Sequence, residues 1–167
     1  MGQGLTVIEV HPIGWVRGGR TEATKDGWGD NRSRIELDST RFTAEALRGL
    51  DELSHVEVLW HFHVDADEPT ELGARHPRGR TDWPRVGIFA QRGRMRPNRL
   101  ATSVCRVLAV EGTVLHVEGL DAVDGTPVLD LKPVWSGTLP RGPLREPAWA
   151  REIMARYWIS DGADGAG

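Results

Sequence analysis

The sequence predicts a mainly β fold in a single domain with few helices, and three observations lead there. Turn formers are frequent, with 20 Gly and 10 Pro in 167 residues, and they cut the chain into short segments. Several of those segments alternate apolar and polar residues at period two, the spacing at which a strand offers one face to a core. Strong helical spacing occurs in one place only, near the C-terminus.

The elements follow in order. L-T-V-I-E-V-H-P-I-G-W-V-R (5–17) predicts a first strand pair or one bent strand, and R-I-E-L-D (34–38) the next. T-A-E-A-L-R-G-L (43–50) predicts a short helix, with Thr43 as N-cap and Gly49 near its end. H-V-E-V-L-W-H-F-H-V (55–64) is the clearest strand. It places Val56, Val58, Trp60, Phe62 and Val64 on one face, and His55, Glu57, Leu59, His61 and His63 on the other. The stretch 64–84 has no period and many breakers, which predicts a long loop. V-G-I-F-A-Q (86–91) reads as a short strand. A-T-S-V-C-R-V-L-A-V (101–110) and T-V-L-H-V-E-G (113–119) form a hairpin about Glu111-Gly112. T-P-V-L-D-L-K-P-V (126–134) is the last strand, stopped by Pro133. P-A-W-A-R-E-I-M-A-R-Y-W (147–158) predicts a helix whose apolar stripe is Trp149, Ala150, Ile153, Met154, Tyr157 and Trp158, with Glu152 and Arg156 paired on the other side. Residues 1–158 form the domain and 159–167 read as a frayed tail.

Composition narrows the function. A net charge of −3 argues against a surface coated uniformly for nucleic acid, yet Arg92, Arg94, Arg96 and Arg99 fall within eight residues. No apolar run approaches the roughly 20 residues of a membrane span, and the N-terminus reads as a strand and not as an export signal. The expectation is a cytoplasmic protein. Cys105 is the single cysteine, which excludes an internal disulfide and a multi-thiolate metal site. Its alternating surroundings, S-V-C-R-V-L, predict a buried thiol.

The dinucleotide-binding, P-loop and nucleophile-elbow motifs are absent. His55, His61 and His63 with Asp65 share a polar strand face, which opens the alternative of a metal-binding barrel, with His76 as a further ligand. More specific are five ordered strings: G-L-D-E-L-S-H-V (49–56), H-P-R (76–78), V-G-I-F-A-Q-R (86–92), R-P-N-R (96–99) and G-L-D-A-V-D-G-T-P-V-L-D-L-K-P (119–133). Over residues 10–134 they resemble the TsaA-like, or TrmO-type, family of S-adenosylmethionine-dependent methyltransferases, whose best-known members methylate N6 of threonylcarbamoyladenosine in tRNA.

The resemblance implies a small β-barrel, a homodimer with the site near the subunit interface, and S-adenosylmethionine as cofactor. By resemblance His63, Val64, Phe89, Ala90, Gln91, Arg92, Thr102, Glu118, Gly119, Leu120 and Asp121 surround the cofactor, and the loop 26–31 stands where another cofactor-contacting loop falls. A planar guanidinium matches a carboxylate, so Arg92 is the expected fork for the cofactor's α-carboxylate. Arg96, Asn98 and Lys132 are placed beside the reacting groups, Asp130 beside Lys132, and Arg78, Arg94 and Arg99 at the rim that meets the substrate. Pro97 forces Arg96 into an extended conformation, and Asn98 tolerates the turn that follows. Methyl transfer from a sulfonium is an in-line displacement, so positioning supplies most of the acceleration, and His63 is the candidate base for an acceptor nitrogen.

Three departures fall at the acceptor's entrance: Gln91 where the family has Thr, Arg99 and Ala101 where it has Pro and Gly, and Val134 where it has an aromatic residue. Bacterial tRNA enzymes of this type continue into a second small domain, whereas here one helix follows the barrel strings. A small metabolite therefore stands as the alternative acceptor to tRNA.

Overall fold

The computed structural model describes residues 6–64 and 66–160. Asp65, the start of the first expected strand at Leu5, and the tail 161–167 lie outside the described residues. Six strands close into an antiparallel barrel. They are β1 (Gly14–Arg17), β2 (Arg32–Leu37), β3 (His55–His61), β6 (Leu100–Glu111), β7 (Val114–Glu118) and β8 (Pro127–Pro133), in the spatial order β1-β2-β7-β6-β3-β8. Two short strands, β4 (Ala74–Arg75) and β5 (Val86–Gly87), pair with each other in a separate ribbon.

Alternation explains the core. Val16, Ile35, Leu37, Val56, Val58, Trp60, Cys105, Leu115, Val117 and Val128 point inward and are buried, joined by Leu47 and Leu120 from loops. A barrel of this strand number has an interior filled by side chains, so it carries no channel. The seam that closes the ring is its shortest: β1 meets β8 only at Gly14 opposite Val128 and Trp15 opposite Pro127. Cys105 is fully buried, and burial raises its thiol well above the ordinary value, with Asp121 adding to the effect.

Several elements differ from expectation. Residues 6–13 are not a strand: Val7, Ile8 and Val10 are exposed, and Pro12, which lacks an amide hydrogen, precedes β1. β3 ends at His61 rather than Val64, two positions beyond a register shift against β8 at Leu59/Trp60. Phe62 then donates its amide to the Arg99 carbonyl and packs half-buried against the core, while Val64 is exposed, so the inward alternation ends at Phe62. The segment 86–91 contributes only two strand residues before a 3-10 turn over Ile88–Ala90.

The 43–50 segment is not an α-helix but a 3-10 turn over Ala44–Leu47. Thr43 makes no capping hydrogen bond, and Gly49, at φ 87°, begins a second turn over Leu50–Glu52. The hairpin forms with its two-residue turn one position later, at Gly112-Thr113, where Gly112 takes φ 62°. The 64–84 loop holds β4 and a turn over Pro77–Gly79. The C-terminal helix α1 is shorter than expected, Ala148–Met154, and continues as turns to Trp158. Glu152, expected to pair with Arg156, accepts a hydrogen bond from Trp83 Nε1 at 2.7 Å.

Candidate active site

A directed chain of hydrogen bonds links β3, β6, the segment after β7 and the turns after α1. Trp60 Nε1, which can only donate, gives its hydrogen to Ser103 Oγ at 2.8 Å, and the Ser103 hydroxyl donates in turn to Asp121 Oδ1. The Tyr157 hydroxyl donates to the other oxygen, Asp121 Oδ2. Burial first, and the Asp121 carboxylate second, push the Tyr157 hydroxyl far above its usual value, so it stays a donor; Arg78 and Arg92 act weakly the other way.

Beside this chain opens a small cleft of about 60 Å³ lined by Trp28, Trp60, Phe62, His63, Val64, Arg94, Asp121 and Val123, among others. Trp60 and Phe62 meet edge to face, with centroids 4.5 Å apart. The cleft therefore combines an aromatic wall with one carboxylate, one guanidinium and one imidazole.

The loop 26–31 reaches the cleft because Asn31 ties it to the segment after β7. Buried Asn31 donates from Nδ2 to the Leu120 carbonyl at 2.7 Å, accepts the Arg20 amide at Oδ1, and takes the Gly119 amide on its own carbonyl at 3.0 Å. On the other side the Trp28 amide donates to the Tyr157 carbonyl at 2.8 Å and Gly27 to that of Arg156. At Gly29 a side chain would collide with the Trp158 carbonyl oxygen, so this contact requires glycine.

The arginine run divides differently from expectation. Arg92 donates from Nη2 to the Thr102 carbonyl at 2.9 Å and its hydroxyl at 3.2 Å, bringing two expected cofactor residues together. Arg96 donates to the Gln91 carbonyl at 2.9 Å, and the Gln91 amide holds the carbonyls of Arg75 and Val86. Arg94 lines the cleft and pairs with Glu68 at 3.1 Å. Arg99 is not a solvated rim residue: only 7% exposed, it adopts φ 50° and donates to the Glu68 carbonyl. The Arg96–Arg99 turn, closed by the Arg99 amide on the Arg96 carbonyl, swings its side chain inward and leaves Asn98 exposed.

Of the sequence-expected residues, the cleft gathers His63, Val64, Asp121 and Arg94. Thr102 and Asp130 both stand opposite Leu59, and Lys132 opposite Glu57, so a second group forms on the outer wall of β6, β3 and β8. Lys132 and Asp130 form an ion pair at 3.2 Å there, outside the cleft. Phe89 and Ala90 are exposed. Leu120 is a core side chain. Glu118 does not line the cleft: it faces outward, where the hydrogen bond from Arg32 at 2.8 Å, with Arg106 beside it, holds its carboxyl below the usual range. Arg78 is held by Asp26 and borders a separate cavity with Lys25, Arg80, Trp83 and Arg156.

Among the described residues the histidines do not assemble a ligand set. His55 begins β3 and His61 ends it, His55 bonds Ser54 Oγ, and His76 bonds the Trp83 carbonyl at 2.7 Å. Among the described residues no group of three or more His, Cys, Asp or Glu could hold a metal ion. No described helix is long and apolar enough to cross a membrane. The sequence reading missed Ser103, Asn31 and the Tyr157 hydroxyl. Ser103 sits among inward apolar positions of β6, and that placement was the available signal.

The profile of the tRNA-methyltransferase O N-terminal domain matches residues 23–138. The chain is 40% identical over 102 residues to the putative S-adenosylmethionine-dependent methyltransferase RcsF of Pseudomonas aeruginosa, covering 61% of this chain and 44% of that protein. It is 37% identical over 94 residues to the tRNA (adenine(37)-N6)-methyltransferase of Escherichia coli, covering 54% and 40%. The chain thus spans less than half the length of both relatives. A crystal structure of TrmO from P. aeruginosa superposes with a TM-score of 0.69 at 31% identity, over 87% of this chain and 62% of that one.

Proposed function

Since the chain belongs to the tRNA-methyltransferase O N-terminal domain family, we propose that it is an S-adenosylmethionine-dependent methyltransferase acting on N6 of threonylcarbamoyladenosine in tRNA. The observation that carries this reading is the cleft, built from the matched span and chemically suited to the cofactor. Trp28, Trp60 and Phe62 offer an apolar aromatic surface to an adenosine, and Asp121 an acceptor to a ribose hydroxyl or an ammonium. Arg92, with Nη2 fixed on Thr102, keeps Nε and Nη1 without hydrogen-bond partners among the described residues, which suits it to a carboxylate.

When bound, the cofactor supplies an electrophilic methyl group on a sulfonium. The residues around it orient the acceptor and exclude water, and His63, at the cleft beside Gly125, takes the proton leaving the acceptor nitrogen. Arg94 stands at the cleft for the substrate, and Arg96 and Asn98 frame its approach.

We further propose a homodimer. Phe89, Leu100, Val104 and Leu108 leave apolar surface exposed, three of them on the outer face of β6 beside Thr102. Closing that face against a second copy would bring Arg92, Asp130 and Lys132 into an interface, joining the outer-wall group to a cleft. Residues 1–158 then act as one catalytic unit. Mass spectrometry of total tRNA nucleosides with and without the gene tests the acceptor. Loss of the methylated nucleoside is expected, and an unchanged nucleoside profile would move the reading to a small-molecule acceptor.

A further inference from the structure

Tyr157 and the turns around it lie beyond the matched residues 23–138, yet they touch both sides of the cleft. The Tyr157 hydroxyl donates to Asp121, and its carbonyl receives the amide of Trp28, a residue of the cleft wall. One residue later the Trp158 carbonyl fills the space that a side chain at Gly29 would need. At the far end of the segment, Glu152 anchors α1 on buried Trp83. The segment is therefore a strap fastened at several points across the 26–31 loop, with the Tyr157 hydroxyl aimed at Asp121.

We propose that Tyr157 is a positioning residue for the cofactor: it fixes the Asp121 carboxylate in the orientation that receives the cofactor's ammonium or ribose hydroxyl. This rests on the function proposed above. A carboxylate has about four lone-pair positions. Ser103 and Tyr157 take one on each oxygen, which resists rotation of the group and leaves the remaining positions for a ligand. Trp60 makes the Ser103 side of the clamp unidirectional, since an indole nitrogen cannot accept. Without Tyr157 the carboxylate loses its fixed angle.

Calorimetric titration of S-adenosylmethionine and S-adenosylhomocysteine into the wild-type protein, Tyr157→Phe, Asp121→Asn and the double variant tests this. Tyr157→Phe is expected to weaken both ligands about tenfold, the scale of one hydrogen bond to a charged group, with a fall in melting temperature no larger than that of Ser103→Ala, which also strands the Trp60 indole. The double variant should lose no more than Asp121→Asn alone, because both act through one carboxylate. Gly29→Ala, which pushes the strap off the loop without touching the hydroxyl, should reproduce the loss. Unchanged affinity in Tyr157→Phe, or additive losses in the double variant, would overturn the proposal while leaving the cofactor assignment standing. Absence of binding by the wild-type protein would overturn the cofactor assignment and this inference with it.

Discussion

Arg78 grips Asp26 through two parallel hydrogen bonds, Nη1 to Oδ2 at 3.0 Å and Nη2 to Oδ1 at 2.8 Å, and adds a third to the Lys25 carbonyl at 2.7 Å. It does so from a left-handed backbone conformation, φ 52°, that a side-chain-bearing residue adopts only when its surroundings impose it. Arg78 therefore fastens the 26–31 loop at its start. Asp26→Asn should speed hydrogen exchange at the Gly27 and Trp28 amides and lower stability by about 1 kcal/mol, a modest value because both side chains remain partly in water. Unchanged exchange at those amides would remove Arg78 from this role.

Arg94 and Arg99, both expected at the rim, should separate in experiment. Arg99→Ala removes a buried guanidinium bonded to the Glu68 carbonyl, with an expected loss of about 2 kcal/mol in urea denaturation. Arg94→Ala, at a half-exposed ion pair, should cost less than about 1 kcal/mol while weakening RNA binding and flattening its salt dependence. Equal stability losses would contradict the burial difference.

Ser103→Ala breaks the chain from Trp60 to Asp121 in the middle. It leaves the Trp60 indole N–H and one carboxylate oxygen of Asp121 without partners, at a cost of about 1–3 kcal/mol. A shift of the urea midpoint with unchanged slope checks it. Because Ser103 also orients Asp121, cofactor affinity should fall in parallel.

Burial, with smaller contributions from Arg99 and His63, holds His61 below its ordinary value of 6.5. Its protonation is then harder in the folded chain than in the unfolded one, so the unfolded state binds more protons below that value. Stability should therefore fall as pH drops from about 6.5 toward the depressed folded value, and be independent of this group above it. His61→Gln should flatten the melting-temperature profile on that acid limb; an identical profile would assign the acid sensitivity elsewhere.

Cys105 gives a plain check on the core. Fully buried and held as a thiol, it should resist iodoacetamide in native buffer and react once the barrel is unfolded in urea. Rapid native alkylation would mean the barrel opens around β6.

What the sequence revealed followed from burial on a single face. β2, the β6–β7 hairpin, β8 and most of β3 were legible because each presents alternate side chains to one closed core, and a slip of one residue would turn them outward. The ends were not. Phe62 and Val64 continue the alternation in sequence, but the register shift at Leu59/Trp60 and the amide bond from Phe62 to the Arg99 carbonyl end the strand. Arg99 read as surface because its partner is a carbonyl 31 positions away. Tyr157 fitted an apolar helical stripe, and nothing local marks that its hydroxyl meets Asp121 36 positions earlier. The resemblance named His63, Val64 and Asp121, which line the cleft, whereas strand register puts Asp130 and Lys132 on the outer wall.

The two-residue seam between β1 and β8 also sets the order in which the protein can be born. β1 leaves the ribosome before the other barrel strands, and its second neighbour, β8, is the last of those six to follow. Until Pro127 and Val128 emerge, one flank of β1 has nothing to pair with, and the ring waits half-made with an apolar rim open to the cell. A barrel that has no edges when finished is thus obliged to display one until its closing strand is made.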